Sequence, residues 1–305
     1  MSKNKNKPSV VFLGSGPVAA KSLAMIQEHC DVEAVITKPT TKREMSSSAT
    51  STPVFTVTSK DELDTLIEHQ KFSSNLGVII DFGIIVSKKT IDSFAKGIVN
   101  SHFSLLPELR GADPISFAIL QGRVRTGVSL MMLVEAMDEG PLLAQAEIQI
   151  DPDDTTPSLT EKLIELSDKM LESILPLWIK DEIAPAEQNL VTIANSPKPS
   201  YTRKLTKSDG ILDWSKSANR LKDEVRAYAD WPKSQASFGT IDCIITQAAV
   251  IHNDGHAHGK LFTHNKELAV ACGKDAIVIK KLKPAGKKEM DSISFIAGYG
   301  SRLGL

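Results

Sequence analysis

Short apolar runs alternate with amphipathic stretches along the first half of the chain. SVVFLG (9–14) is apolar through its middle and closed by glycine, the pattern of a strand covered on both faces, and AAKSLAMIQEH (19–29) follows with helical spacing. VEAVITK (32–38) reads as a strand, DELDTLIEHQ (61–70) as a helix and GVIID (77–81) as a strand. IDSFAK (91–96) is a short helix before the strand GIVNSHF (97–103), and ISFAILQG (115–122) is helical again. This alternation predicts an α/β domain with a doubly wound sheet; VSLMMLV (128–134) and LLAQAEIQI (142–150) are strands that suit antiparallel additions. In DDTTPSLTEKLIELSDKMLESILPLWI, Leu159, Leu163, Leu166, Met170 and Ile174 recur at helical spacing, with Thr155 or Thr156 able to cap and Pro157 suited to the first turn.

The pattern changes near residue 185. AEQNLVTIANSPKPSYTR has breakers and no sustained period, so 1–185 reads as one domain, 186–203 as a linker and 204–305 as a second domain. In the last, a helix over SANRLKDEVRAYA (217–229) precedes short alternating runs such as AVIHN, KLFTHN, LAVAC and AIVIKKLK, parted by Gly, Asn and Asp. That predicts a small all-β body, in the manner of a barrel.

Composition adds bounds. The 305 residues are 41% hydrophobic and 24% charged with a net charge of -1, an ordinary globular balance that needs no metal or disulfide staple at this length. The three cysteines are scattered, with no CxxC, which argues against a disulfide framework and a thiolate zinc site and fits a reducing cytoplasm. The basic start MSKNKNK is followed by an apolar run too short for a signal peptide, and 78–86 is interrupted by Asp81 and Gly83, so a membrane span is not expected. Charge is unevenly shared: 204–305 carries 16 basic and 11 acidic side chains against 20 and 26 for 1–203. A basic second domain favours a polyanionic partner, though a solvated surface gives the same count.

Several apparent motifs carry little chemistry. FLGSGPVA (12–19) makes a tight strand-to-helix turn but lacks the third glycine of a dinucleotide site. DFG (81–83) has none of the accompanying kinase elements. His252, His256, His258 and His264 crowd a Gly-rich turn without a carboxylate or thiolate at a ligand spacing, so the expectation is an exposed hairpin loop and no metal.

The stretch VNSHFSLLPELRGADP (99–114) is different. Asn100 and His102, two apart on a strand, share a face just where a Pro- and Gly-marked loop begins. Asp138 follows another strand, in a turn made by Gly140 and Pro141, and can converge with them at a strand end, where open α/β sheets bind ligands. Three unrelated loop polars would look the same. As a site, an amide, an imidazole and a carboxylate without a Ser or Cys nucleophile suit direct acyl transfer to an amine. Asn100 and His102 would donate to the oxyanion, and Asp138 would orient the imidazole or take the amine proton.

NSHFSLLPELRGADPISFAILQG followed by TGVSLMMLVEAMDEGPLL resembles the signature N-x-H-x-S-L-L-P-x-x-R-G-A-x-P, T-G-V and D-x-G of the 10-formyltetrahydrofolate-dependent formyltransferases. FLGSGP is similar to the family's first turn, and YTRKLTKSDGILDWSKSA (201–218) and LKPAGKKEM (282–290) resemble the second domain of those members that formylate methionyl-tRNA. The resemblance implies a Rossmann-like catalytic domain, the linker and an OB-like β-barrel that helps hold tRNA. It puts the catalytic asparagine, histidine and aspartate on Asn100, His102 and Asp138, and a folate contact on Ser104, Leu105, Leu106 and Pro107. It implies 10-formyltetrahydrofolate as co-substrate, no metal, charged initiator tRNA as acceptor and a monomeric cytoplasmic enzyme. Basic residues expected at the tRNA are Lys38, Lys42 and Arg43 in the loop after the second strand, and Lys283, Lys287 and Lys288.

The chain departs from the family pattern at three places. Asp113 stands where the family has alanine, a negative charge beside the expected site; the loop after the second strand runs into Ser and Thr; and Phe82 replaces a tyrosine. Two other functions compete. A formyltransferase acting on an amino sugar nucleotide would keep the donor and change the acceptor, and a catalytically silent folate-binding protein, or a hydrolase that releases formate, would keep only the pocket.

Overall fold

In the computed structural model, which describes residues 7–188 and 198–305, β1 (Ser9–Gly14) lies inside a seven-stranded sheet. The chain continues through α1 (Pro17–Ile26), β2 (Asp31–Thr37), α2 (Lys42–Ser48), β3 (Val54–Thr56), α3 (Lys60–Gln70), β4 (Gly77–Ile80), α4 (Lys88–Asp92) and β5 (Ile98–His102). Then come β6 (Arg110–Gly111), α5 (Pro114–Leu120), β7 (Arg125–Met132), β8 (Leu142–Gln149), α6 (Thr156–Ile179) and β9 (Tyr201–Thr202). The sheet order is β3-β2-β1-β4-β5-β7-β8. The first five strands pair in parallel and β7 runs antiparallel to β5, as the pattern predicted. Val11, Leu13, Ala34, Ile36, Ile79 and Ile98 share one buried cluster, which is why the central strands read as unbroken apolar runs.

The chain divides into two compact units, one of the residues up to Gly111 with Thr126–Ile148 and Thr160–Thr202, the other of Ala112–Arg125, Gln149–Leu159 and Arg203–Leu305. Two segments ahead of residue 185 thus cluster with the C-terminal residues. The second unit adds α7 (Ala218–Ala227), β10 (Ser234–Phe238), β11 (Ile241–Ile251), β12 (Leu261–His264), β13 (Glu267–Ala271), β14 (Ala276–Pro284), β15 (Met290–Asp291) and α8 (Ser292–Leu303). Its strands form an antiparallel sheet, β10-β11-β14-β13-β12, with β15 on β14, over a core of Leu221, Val225, Phe238, Ile277 and Phe295.

One expectation needs correction. The loop after β2 contains the helix α2, anchored by fully buried Met45 and Ala49 and by a 2.7 Å bond from Gln27 Nε2 to the Ser48 carbonyl, so its polar, Ser-rich sequence hides a helix. The expected linker is structured at both described ends, while 189–197 lies outside the described residues. Leu142 and Ala186 exchange backbone hydrogen bonds of 2.8 and 2.9 Å, and β9 pairs in parallel with β6. Among the described residues no helix is long and apolar enough to cross a membrane.

Candidate active site

β5 ends at His102, and the two-residue period brings Asn100 and His102 to one carboxylate. Asn100 Nδ2 lies 3.5 Å from Asp138 Oδ1, and His102 Nδ1 lies 3.7 Å from Asp138 Oδ2. The imidazole is 7% exposed and the carboxylate 14%, so the group is sheltered.

The loop after β5 decides which imidazole nitrogen is available. Ser104 Oγ donates to the Glu108 carbonyl at 2.6 Å. Ser129, opposite His102 on β7, accepts from Leu106 N–H at 3.0 Å and donates to the Ser104 carbonyl at 2.7 Å. Gln145 Nε2 adds bonds of 2.9 Å to the Leu106 carbonyl and to Ser129 Oγ. Leu109, at φ 57°, donates its N–H to Ser200 Oγ at 2.9 Å and turns its carbonyl to His102 Nε2 at 3.0 Å. A carbonyl only accepts, so Nε2 carries a proton in every state of the ring. Nδ1, facing Asp138, is the nitrogen left for chemistry. The sequence reading had His102 donate to an oxyanion; it can do so only through Nδ1, and only as the imidazolium.

Ser104, Leu105, Leu106 and Pro107 are therefore the frame of this loop. All four are buried, Leu106 completely, and Leu105 keeps 8% of its surface. Ser104 and Leu106 thus hold the turn that leads to Leu109.

Asp138 sits in the turn between β7 and β8 at φ 53°, a left-handed conformation that Asp tolerates better than most residues. Its Oδ2 accepts the Gly111 N–H at 2.6 Å. Gly111, at φ 98°, has no room for a Cβ, which would meet the Thr202 carbonyl at 2.8 Å. A Cβ on Gly140 would lie 1.8 Å from the Met132 carbonyl oxygen, so the D-x-G spacing reflects a turn folded directly onto the strand before it. Gly140→Ala is expected to cost more than about 2 kcal/mol of stability, as overpacking of backbone does, read as a shift in the denaturant midpoint.

Sequence reasoning missed the residues behind the turn. Gln188 donates from Nε2 to the carbonyls of Asp138 and Gly140, at 2.7 and 2.9 Å. Its Oε1 accepts from Arg110 Nη2 and Nε, at 2.7 and 3.2 Å. Arg110 Nη1 reaches Glu139 Oε1 at 2.9 Å and the Tyr201 hydroxyl at 3.0 Å. Arg110 stood inside the quoted motif and could have been singled out there; Gln188 lay in a segment without periodicity and gave no signal.

The other named positions scatter. Lys38 Nζ lies over Gly83, where an added Cβ would come within 2.6 Å, while Lys42 and Arg43 are exposed in the first turn of α2. Lys283, Lys287 and Lys288 are exposed around the β14–β15 connection. Asp113, at φ 56°, has its carboxylate accept the Leu205 N–H at 2.8 Å within the second unit, which gives the unexpected acid a backbone partner. Phe82 is buried in the core cluster.

Thiol chemistry has no place here. Burial pushes Cys30 up to about 12 and Cys243 and Cys272 up to about 11, and all three are buried. Among the described residues no group of three or more His, Cys, Asp or Glu is placed to hold a metal.

Comparison with known proteins gives the frame for this geometry. Residues 8–175 match the family model described as formyl transferase, and residues 204–300 the one described as formyl transferase, C-terminal domain. A methionyl-tRNA formyltransferase of Myxococcus xanthus is 31% identical, over 96% of each chain. Among solved structures, HypX from Aquifex aeolicus matches with TM-score 0.66 at 12% identity, over 97% of this chain and 48% of that one. An N-formyltransferase from Helicobacter canadensis, described in complex with folinic acid and dTDP-3-aminofucose, matches with TM-score 0.65 at 16% identity, over 89% of this chain and 98% of that one.

Proposed function

The chain belongs to the formyl transferase family, and from that premise we propose that it moves the formyl group of 10-formyltetrahydrofolate to the amino group of methionine on charged initiator tRNA. The observation that carries the reading is the convergence of Asn100, His102 and Asp138 at the end of β5, in a chain similar over nearly its full length to methionyl-tRNA formyltransferases.

The roles follow from the atoms. The methionine amine attacks the formyl carbon, and the carbonyl oxygen gains charge. Among the described residues, Asn100 Nδ2 gives one N–H to a long hydrogen bond with Asp138, which leaves its second N–H to stabilise that oxygen. The amine must lose a proton, and Asp138 with Nδ1 of His102 forms one acceptor of two adjoining groups. Protonation at Nδ1 makes an imidazolium opposite the Asp138 carboxylate. The same nitrogen then returns the proton to the departing folate nitrogen as the carbon–nitrogen bond breaks. Ser104, Leu105, Leu106 and Pro107 are the residues assigned to the folate donor.

Exposed Lys42, Arg43, Lys283, Lys287 and Lys288, with Lys38, are the basic residues assigned to the tRNA. We read the chain as a cytoplasmic monomer. The deciding experiment is formylation of methionyl initiator against methionyl elongator tRNA. Efficient transfer to the initiator alone supports the reading. Transfer to an amino sugar nucleotide, or formate release without acceptor, overturns it. The KM for tRNA should also rise steeply with salt, since each neutralised phosphate steepens the logarithmic slope by about 0.7–0.9; a sugar nucleotide would give a shallow slope.

A further inference from the structure

We propose that Gln188 is a positioning residue that holds the catalytic turn, and through it the Asp138 carboxylate, against β6; the inference rests on the formyl-transfer reading above. Gln188 is 4% exposed, and its carboxamide is saturated: two N–H bonds go to the Asp138 and Gly140 carbonyls, and its oxygen takes two from Arg110. The residue after Arg110 is Gly111, whose N–H holds Asp138 Oδ2.

The contacts close a ring. Asp138 is gripped by its side chain from Gly111 and by its backbone from Gln188, and both grips lead to the Arg110–Gly111 strand. Arg110 is itself buried and fixed on its other side by Glu139 and the Tyr201 hydroxyl. A non-glycine residue at φ 53° resists that conformation, so the turn keeps its shape because outside bonds impose it. Among side chains of this length only a carboxamide supplies two donors on one edge and an acceptor on the other. A carboxylate keeps Arg110 but presents oxygen to two carbonyls. An aliphatic chain leaves two carbonyls and a guanidinium edge unpaired.

The position of Asp138 matters because the amine proton must reach a carboxylate already facing Nδ1 of His102. Loosening the turn moves that carboxylate without touching either substrate. The signature is therefore a loss in turnover with binding preserved.

The test compares full-length wild type with Gln188→Glu and Gln188→Leu. At saturating 10-formyltetrahydrofolate and charged initiator tRNA, kcat should fall about 10–100-fold while each KM stays within about twofold. In an Asp138→Asn background, followed by single turnover, the same substitutions should add almost nothing, since they act through the lost carboxylate. A merely stabilising glutamine would lower the melting temperature and cut activity equally in both backgrounds. Hydrogen exchange over 133–141 should quicken in the variants, and this readout stands without any activity. Should Gln188→Leu fail to fold, Gln188→Asn, an amide one methylene too short, serves in its place. Wild-type kcat in a folded variant, undiminished losses beside Asp138→Asn, or unchanged exchange over 133–141 would each overturn the clamp. Wild-type protein inactive on charged tRNA would instead overturn the reading of function, leaving the exchange result to judge the clamp.

Discussion

Asp138→Ala is expected to lower kcat by at least 10²-fold, with about 10²–10⁴-fold the span for losing a positioned acid–base group. Three losses coincide in it. The amine proton has no carboxylate to receive it or to balance an imidazolium at His102. The Gly111 N–H loses its 2.6 Å partner, and alanine replaces aspartate at φ 53°. The last two concern stability, so alanine alone confounds the reading. Asp138→Asn separates them, since asparagine tolerates the left-handed region and can still accept the Gly111 N–H, but it carries no charge. Single-turnover formylation with matched melting curves should show the asparagine variant nearly as inactive as alanine and much nearer wild type in stability. An asparagine variant with wild-type turnover would remove Asp138 from the chemistry.

The second large effect lies at Asn100. Asn100→Ala should cost about 10²–10³-fold in kcat, the range for one oxyanion donor, with KM for both substrates little changed. The structural cost should be small, because among the described residues the side chain's one bond is the 3.5 Å contact to Asp138. Asn100→Asp is the sharper probe. It places a second carboxylate against Asp138 with almost no change of shape, and neighbouring carboxylates resist ionising together, so one titrates upward. That variant should lose the donor and also shift the acidic limb of the kcat–pH profile to higher pH. Full activity in Asn100→Ala would sink the donor role.

How much of this was legible depended on which regularity each part obeys. Asn100 and His102 were readable as one face because strand geometry has period two whatever surrounds it. The strand at 9–14 was readable to the residue because both its faces are covered, leaving no polar position to blur it. Helix α6 appeared in outline, yet its buried stripe includes Ile164, Leu171 and Leu175 beside the expected Leu159 and Leu163. A helix face is wide, and its centre depends on what it packs against.

Other features had no local rule. In the expected linker, Gln188, Ser200, Tyr201 and Thr202 act through individual hydrogen bonds, which have no period. The bonds by which Ser104 and Leu106 frame their loop could not be read from the motif, which records that residues matter without recording which way they point. Asp113 looked like a stray charge near the site until the backbone N–H of Leu205, 92 positions on, was found against it.

By itself, the order of apolar and polar residues determined the alternating elements, the parallel sheet with its antiparallel additions and the pairing of Asn100 with His102. Each follows from interactions a few residues apart. Only the tertiary structure decided that Nε2 of His102 is committed to Leu109, that Asp138 is gripped from Gly111 and Gln188, and that Ser104–Pro107 face inward. Those outcomes belong to hydrogen bonds closed between distant segments, whose partners meet only when burial has removed the water that would otherwise satisfy them.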